Sequence, residues 1–423
     1  MAGYRERIAD RLVADALRTF GAVVIQGPRA VGKTTSGLRL AASSVRLDAS
    51  PDLAALAETS PPAVLAGNVP RLVDEWQLAP TLWNAVRHEV DTRGAPGQFI
   101  LTGSATPSDD VTRHSGAGRF RRVTLRPMTL AESGESTGAV DFSDVLSGAT
   151  VAGIGGPTVE DYARLIVRGG WPALVTAPER SPADYLTAYL DDVARVDLPG
   201  ADARTDPVRM LALVRALARN VATEASAVTL GAEAEIGDRD HPAIGVSPQS
   251  VRKYLHALTR VFVVEEQPAW APHLRSRVRL RVQPKWHFVD PSLAAVSLGA
   301  GPSALLDDPK SLGLLFESLC VRDLRVYAQA LGGNVYHYRD ETGLAADAVV
   351  ELGDGRWAAF EIKLGGAAYV DKAAANLAKL AAKVSEQRAA RLCSLNVLTA
   401  GTTSYTRPDG VNVVALGHLG LRS

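Results

Sequence analysis

Residues 24–36 read VIQGPRAVGKTTS. Within them Gly27, Pro28, Arg29, Ala30, Val31, Gly32, Lys33 and Thr34 satisfy G-x-x-x-x-G-K-[ST] at every position. The glycines let the chain turn without a Cβ clash, so that consecutive amide N–H groups converge on a phosphate. The apolar run GAVVIQ at 21–26 precedes the loop and a helix-compatible stretch follows it. The loop is therefore expected between a buried strand and the positive end of a helix. In that frame Lys33 reaches the β- and γ-phosphates, Thr34 ligates Mg²⁺ and Thr35 completes the binding stretch. The expected cofactors are ATP and Mg²⁺.

Hydrolysis needs a second acidic group, and RLVDE at 71–75 supplies Asp74 and Glu75. Asp74 is expected to hold a Mg²⁺-bound water and Glu75 to polarise the attacking one. Pro70 and Arg71 interrupt the apolar run before them, so a solvated acidic turn is the competing reading. FILTGSA at 99–105 puts Thr102 and Ser104 at a strand tip, as a γ-phosphate sensor or as ordinary strand-end polarity. Further on, Arg119 in SGAGRF is a surface arginine, one docking the lid to the core, or one that reaches a nucleotide in a neighbouring copy. VRLD (45–48), RLVDE and FILTGS alternate with helical stretches such as LAPTLWNAVRHEVD, which argues for a parallel α/β sheet.

GPRAVGKTT, VDEWQLAP, ILTGSA, GAGRF and RPMTLAE, in this order, resemble a bacterial and archaeal family of AAA-type ATPases whose members end in a domain of unknown function. RLIVRGGWPAL (164–174) and GLLFESLCVRDL (313–324) extend the likeness over nearly the whole chain. The resemblance implies an AAA-like core, a helical or winged-helix middle and a nuclease-like α/β end. At 423 residues the chain is too long for one hydrophobic core. Its expected division is an ATPase core at 1–133, a linker and helical lid at 134–204, a winged-helix-like domain at 205–285 and a nuclease-like domain at 286–423. Residues 134–160, rich in Gly, Ser and Thr, read as the linker. The Gly169-Gly170-Trp171-Pro172 turn reads as a packing device.

Lys+Arg and Asp+Glu number 46 each, so net charge points to no partner. No apolar run reaches the ~18 residues of a membrane span, the start carries no signal-like apolar stretch, and the His residues show no metal-ligand spacing. Cys320 and Cys393 are expected as buried free thiols. These features suggest a cytoplasmic protein without a membrane partner.

The middle carries a candidate nucleic-acid reader. In VSPQSVRKYLHALTRVF (246–262) Ser247 can cap a helix with Pro248 at its first position. Val251, Leu255, Leu258 and Val261 or Phe262 repeat at helical spacing toward a core. The opposite face carries Gln249, Ser250, Arg252, Lys253 and His256. Such a face suits a DNA major groove. A following hairpin would carry Arg275, Arg277, Arg279 and Arg281 on one side, with Lys285 beyond, spaced for phosphate contacts. A solvated face on a structural winged helix fits the same pattern.

In the tail, Glu317 lies in a long predicted helix (309–331), Asp347 in a strand (346–352), and Glu361 and Lys363 on one face of the next strand (356–363). Two carboxylates can hold a divalent cation, and a lysine beside them can orient a water or offset phosphate charge. The set resembles the Asp…Glu-x-Lys nuclease core with its helix–strand–strand–strand–helix order, except that Ala345 stands where the pattern usually has an acid. The favoured function is an ATP-binding, Mg²⁺-dependent switch coupled to a nucleic-acid-binding or nuclease-like end. A DNA-binding or DNA-cutting protein whose loop only senses nucleotide is the alternative, and a nucleotide-gated scaffold is the third reading.

Overall fold

The computed structural model describes residues 4–103, 116–177, 179–197, 206–234, 236–238, 241–271 and 282–422. The chain forms two compact units. One comprises Met1–Arg126, Arg195–Thr205 and His256–Val263, the other Pro127–Ala194, Asp206–Leu255 and Val264–Ser423.

The first unit is built on α1 (Ile8–Leu17), β1 (Ala22–Gln26), α2 (Lys33–Leu40), β2 (Ser43–Arg46), β3 (Arg71–Asp74), α3 (Leu82–Arg93), β4 (Phe99–Gly103) and β5 (Phe120–Thr124). The five strands are parallel in the order β2-β3-β4-β1-β5. Central strands covered on both faces need apolar residues throughout, which the AVVI of β1 supplies. Alternation divides them. Val23 and Ile25 meet Ala9, Val13 and Ala16 of α1, whereas Ala22 and Val24 face a core containing Trp76, Leu82, Trp83, Val86 and Phe99. Strand β2, at the sheet edge, has the half-buried sequence SSVR.

The second unit holds β6 (Ala152–Ile154), α4 (Val159–Arg168), α5 (Pro207–Arg219), α6 (Ala227–Glu233), α7 (Pro248–Arg260, shared with the first unit), β7 (Val264–Gln267), β8 (Lys285–Phe288), α8 (Pro309–Ala330), β9 (Gly333–Arg339), β10 (Ala345–Leu352), β11 (Trp357–Lys363), α9 (Ala367–Lys383), β12 (Leu392–Thr399), β13 (Thr403–Thr406) and β14 (Asn412–Ala415). A seven-stranded mixed sheet runs β9-β10-β11-β12-β14-β13-β6. α8 lies against β9, β10 and β11, and α9 buries Val370, Ala373, Leu377 and Leu380 over Val349, Ala359, Val397 and Val413. The helix–strand–strand–strand–helix order expected for the tail is present.

Residues 134–160 are not a plain linker. They include β6, which closes the edge of the seven-stranded sheet by pairing antiparallel with β13, and Val140–Asp141, which pair with Leu419–Gly420. Cys320 is buried and Cys393 only half-buried; both are free thiols.

A buried ionic knot explains the Gly-Gly-Trp turn. The Arg322 guanidinium, 2% exposed, lies between Asp290 (2.8 Å) and Asp323 (2.7 Å), both fully buried. Gly170 N donates to Asp290, Leu130 N donates to Asp323, Met128 N donates to Gly170 O and Trp171 Nε1 donates to Ser292 Oγ. A Cβ on Gly170 would stand 2.2 Å from Met128 O, so the backbones could not approach. The turn thus satisfies buried charges as well as packing. Leaving one buried charge uncompensated typically costs about 3–5 kcal/mol. Arg322→Ala, which leaves Asp290 and Asp323 buried without a counter-charge, is therefore expected to lower the denaturant midpoint of the full chain by a corresponding amount, and an unchanged midpoint would contradict this role.

Candidate functional site

The phosphate loop leaves the C-terminal end of β1 and opens directly into α2. Gly27 adopts φ 150° and Gly32 φ 98°. A Cβ at residue 27 would lie 2.1 Å from Leu125 O, so only glycine lets the loop pass the chain leaving β5. α2 starts at Lys33 with no side-chain cap on its first-turn amides, the arrangement in which a helix presents donors to an anion. Lys33 Nζ folds back to donate to Gly27 O (3.0 Å) and Pro28 O (2.6 Å), and the side chain is buried. Pro28 and Val31 are buried, Arg29 and Ala30 exposed, and Thr34 and Thr35 half-buried on α2.

Strand order brings the acid to the loop. β4 lies between β1 and β3, with Gln26 beside Gly103 and Asp74 beside Thr102. Thr34 Oγ1 donates to both Asp74 oxygens (2.9 and 3.0 Å), and Thr102 Oγ1 donates to Asp74 Oδ1. Asp74 is 1% exposed, and Arg46 Nε of β2 approaches its Oδ2 at 3.6 Å. A hydroxyl and a carboxylate are hard oxygen donors of the kind Mg²⁺ takes with waters and phosphate oxygens, so the residues fit that ion. Glu75 follows in a left-handed conformation, φ 54°, which is uncommon outside glycine, and its carboxylate accepts from Gln77 Nε2.

Arg119 is elsewhere. It precedes β5, whose first residue pairs with Ala22, so it stands at the opposite end of β1 from the loop. Its guanidinium donates to both carboxylate oxygens of Asp91 (2.9 and 3.3 Å). Ser104 and the arginines at 275, 277, 279 and 281 lie outside the described residues. The helix before that row is as read. Ser247 Oγ accepts from Ser250 N, Val251, Leu255, Leu258 and Val261 are buried, Gln249, Arg252 and His256 are exposed and Lys253 is half-buried. β7 and β8 form the antiparallel hairpin after it.

The tail gathers its four expected residues and a fifth. Lys363 Nζ donates to Glu361 Oε2 (2.6 Å) and Asp347 Oδ2 (3.0 Å), which also accepts from Ile362 N (2.8 Å). Lys285, read from sequence only as lying beyond the row of arginines, turns inward. Its Nζ donates to Glu317 Oε1 at 2.6 Å and lies 3.7 Å from Asp347 Oδ1. Burial, aided by the Asp347 charge, pushes Glu317 and Glu361 each up to about 7 against the opposing pull of the lysines. Burial would also raise Asp347, but Lys285 and Lys363 hold it below the usual carboxylate range. Both ammoniums bind protons more tightly than usual, because the carboxylates outweigh the effect of burial. The expected metal pair at Asp347 and Glu361 does not fit this arrangement, since ammonium groups hold the oxygens a cation would use. Among the described residues no three His, Cys, Asp or Glu side chains are arranged to hold a metal ion.

Sequence reasoning missed Gln77 and Lys285. Gln77 stands two residues after Glu75 in VDEWQ, a spacing that offered a signal. For Lys285 no local pattern pointed to the acids it meets.

Residues 19–134 match the model of an AAA domain, residues 159–304 that of a domain of unknown function (DUF8612) and residues 312–419 that of another (DUF4143). Uncharacterized protein Rv2008c of Mycobacterium tuberculosis and uncharacterized protein Mb2031c of Mycobacterium bovis are each 29% identical over 363 residues, covering 82% of this chain and 71% of the relative. Among solved structures, the Walker-type ATPase PABY2304 of Pyrococcus abyssi aligns with a TM-score of 0.40 at 13% identity, over 68% of this chain and 94% of that one. The ORC1 protein of Aeropyrum pernix, in complex with DNA, aligns with a TM-score of 0.24 at 14% identity, over 71% and 92%. TM-scores of that size establish no kinship in themselves. The AAA-domain match and the parallel sheet with its loop agree that the first unit has a P-loop NTPase fold. Among the described residues no helix is long and apolar enough to cross a membrane.

Glu317 and Glu361 hold protons more tightly folded than unfolded, so their contribution to stability is present below about 4.5 and is lost as pH rises toward about 7. Relative to a Glu317→Gln/Glu361→Gln chain, the wild type is expected to lose melting temperature steadily across that window. A pH-independent difference would contradict the assigned environment.

Proposed function

We propose that this chain is a Mg²⁺-dependent ATPase whose nucleotide state acts as a switch for the domains that follow. The observation that carries this reading is the meeting of Thr34 and Thr102 hydroxyls on the Asp74 carboxylate. The loop residue expected at the metal, the acid expected to hold its water and the tip of the intervening strand converge on one point. Thr34 and Asp74 would hold Mg²⁺, which when bound offsets phosphate charge. Loop amides and the α2 N-terminus bind the phosphates, and Lys33 exchanges the carbonyls of Gly27 and Pro28 for phosphate oxygens. Gln77 fixes the Glu75 carboxylate, which orients the attacking water. Thr102 ties the tip of β4 to Asp74, so a change of charge at the phosphates is felt in the sheet.

A contact from Arg119 to a nucleotide would have to be made to another copy of the chain, with Asp91 released, because its own loop lies at the other end of β1. The exposed Gln249, Arg252 and His256 on α7, ahead of an antiparallel hairpin, support a winged-helix reading with DNA as partner. The tail is read as a nuclease-like fold acting in binding. Dependence on ATP fits a cytoplasmic setting.

ATP turnover tests the central reading. Lys33→Ala and Asp74→Asn should each lower kcat by about a hundredfold or more, the loss typical when a preorganised electrostatic group is removed; wild-type rates in both would overturn it. For the partner, Arg252→Glu should weaken binding to duplex DNA and flatten its dependence on salt. Unchanged affinity and slope would remove α7 from the interface.

A further inference from the structure

The tail cluster contains one lysine more than its resemblance calls for. Lys285 enters from the first position of β8, where it pairs with Gln267 of β7. It bridges an acid on α8 and an acid on β10: Glu317 Oε1 at 2.6 Å and Asp347 Oδ1 at 3.7 Å. Lys363 bridges the other side, from Asp347 Oδ2 at 3.0 Å to Glu361 Oε2 at 2.6 Å. Asp347 is thus shared between two ammoniums. The side chains of Lys285, Glu317 and Asp347 are only 13%, 12% and 17% exposed, so bulk water does little of the screening.

Charge counting shows what Lys285 does. Three carboxylates against two ammoniums leave one formal negative charge. Without Lys285 the remainder is two negative charges, which one divalent cation would neutralise. Glu317 and Asp347 would then offer two hard oxygens toward the same point, with Glu361 beyond. Divalent cations such as Mg²⁺ and Mn²⁺ are held by such oxygens at about 2.0–2.2 Å, a distance carboxylate torsions can reach once the longer ammonium contacts are gone.

We propose that Lys285 takes the place of a divalent cation, so that the wild-type cluster is a closed ion-pair network and not a metal centre. The hairpin that carries Lys285 keeps the nuclease-like tail metal-free, and withdrawing that one side chain opens a site for a divalent ion. The inference concerns the second unit alone and does not depend on the nucleotide reading.

Mn²⁺ itself is the probe, titrated into the nucleotide-free full chain and followed by electron paramagnetic resonance. Lys285→Met should take up one additional Mn²⁺ per chain, at least about tenfold tighter than any Mn²⁺ the wild type binds at this cluster. Lys285→Arg, which keeps the cation, should behave as wild type. Lys285→Met/Asp347→Asn should lose the additional ion, which separates it from any Mn²⁺ at Asp74. Should Lys285→Met fail to fold, Lys285→Gln preserves much of the stem, and Mn²⁺ should raise its melting temperature but not that of the wild type. The proposal is overturned if the wild type already binds an ion that Asp347→Asn removes, if Lys285→Arg gains the site, or if neither neutral variant binds Mn²⁺ beyond wild type.

Discussion

The buried carboxylate of Asp74 is the constraint on which the first unit is organised. An ionised carboxylate at 1% exposure is costly unless its lone pairs are met. Here Thr34 and Thr102 meet them with charge-assisted hydrogen bonds, and Arg46 lies at the margin. Those partners come from three elements that only one strand order brings together. With β4 inserted between β1 and β3, Asp74 falls beside Thr102 and the loop leaves one strand further on. A register slip of one residue would turn Asp74 to the other face of the sheet and separate it from Thr34. The hydrogen bonds that stabilise the buried acid also hold it where the proposed chemistry would use it.

The second unit buries charge in two ways. At Arg322 one guanidinium lies between Asp290 and Asp323, and backbone amides from Gly170 and Leu130 take up remaining lone pairs. Such a knot fixes the geometry of four separated segments, because any one displaced leaves a buried charge short of a hydrogen-bond or ionic partner. At Asp347, as at Arg322, one formal negative charge is left over. Three acids share two lysines, and two of the acids hold protons up to about 7. Burial raises the proton affinity of all three acids and acidic neighbours add to it, but at Asp347 the two ammoniums outweigh burial and lower it.

Local pattern made much of this readable. The loop, the buried strand before it and the acid at the end of β3 follow from apolar runs and a motif whose spacing is set by phosphate geometry. The i, i+2 relation placed Glu361 and Lys363 on one face, and α8, β10 and β11 appear within a residue or two of their expected limits. What escaped depends on partners distant in sequence. β6 is three residues long with exposed ends and looks like linker; it is a strand because β13, some 250 residues later, offers it an edge. Lys285 shares its spacing with a row of arginines, yet tertiary contact with α8 and β10 turns it inward. The place of Arg119 at the far end of β1 required the pairing of β5 with β1, which no local signal contains.

In the proposed function, loop amides, Lys33 and the Thr34–Asp74 pair together hold a magnesium nucleotide. Equilibrium binding of a fluorescent ATP analogue to the full chain, measured with Mg²⁺ and again with the metal chelated, tests it most directly. Saturable binding of one nucleotide per chain, markedly weaker on chelation, is expected. No binding at millimolar nucleotide with Mg²⁺ present would contradict it.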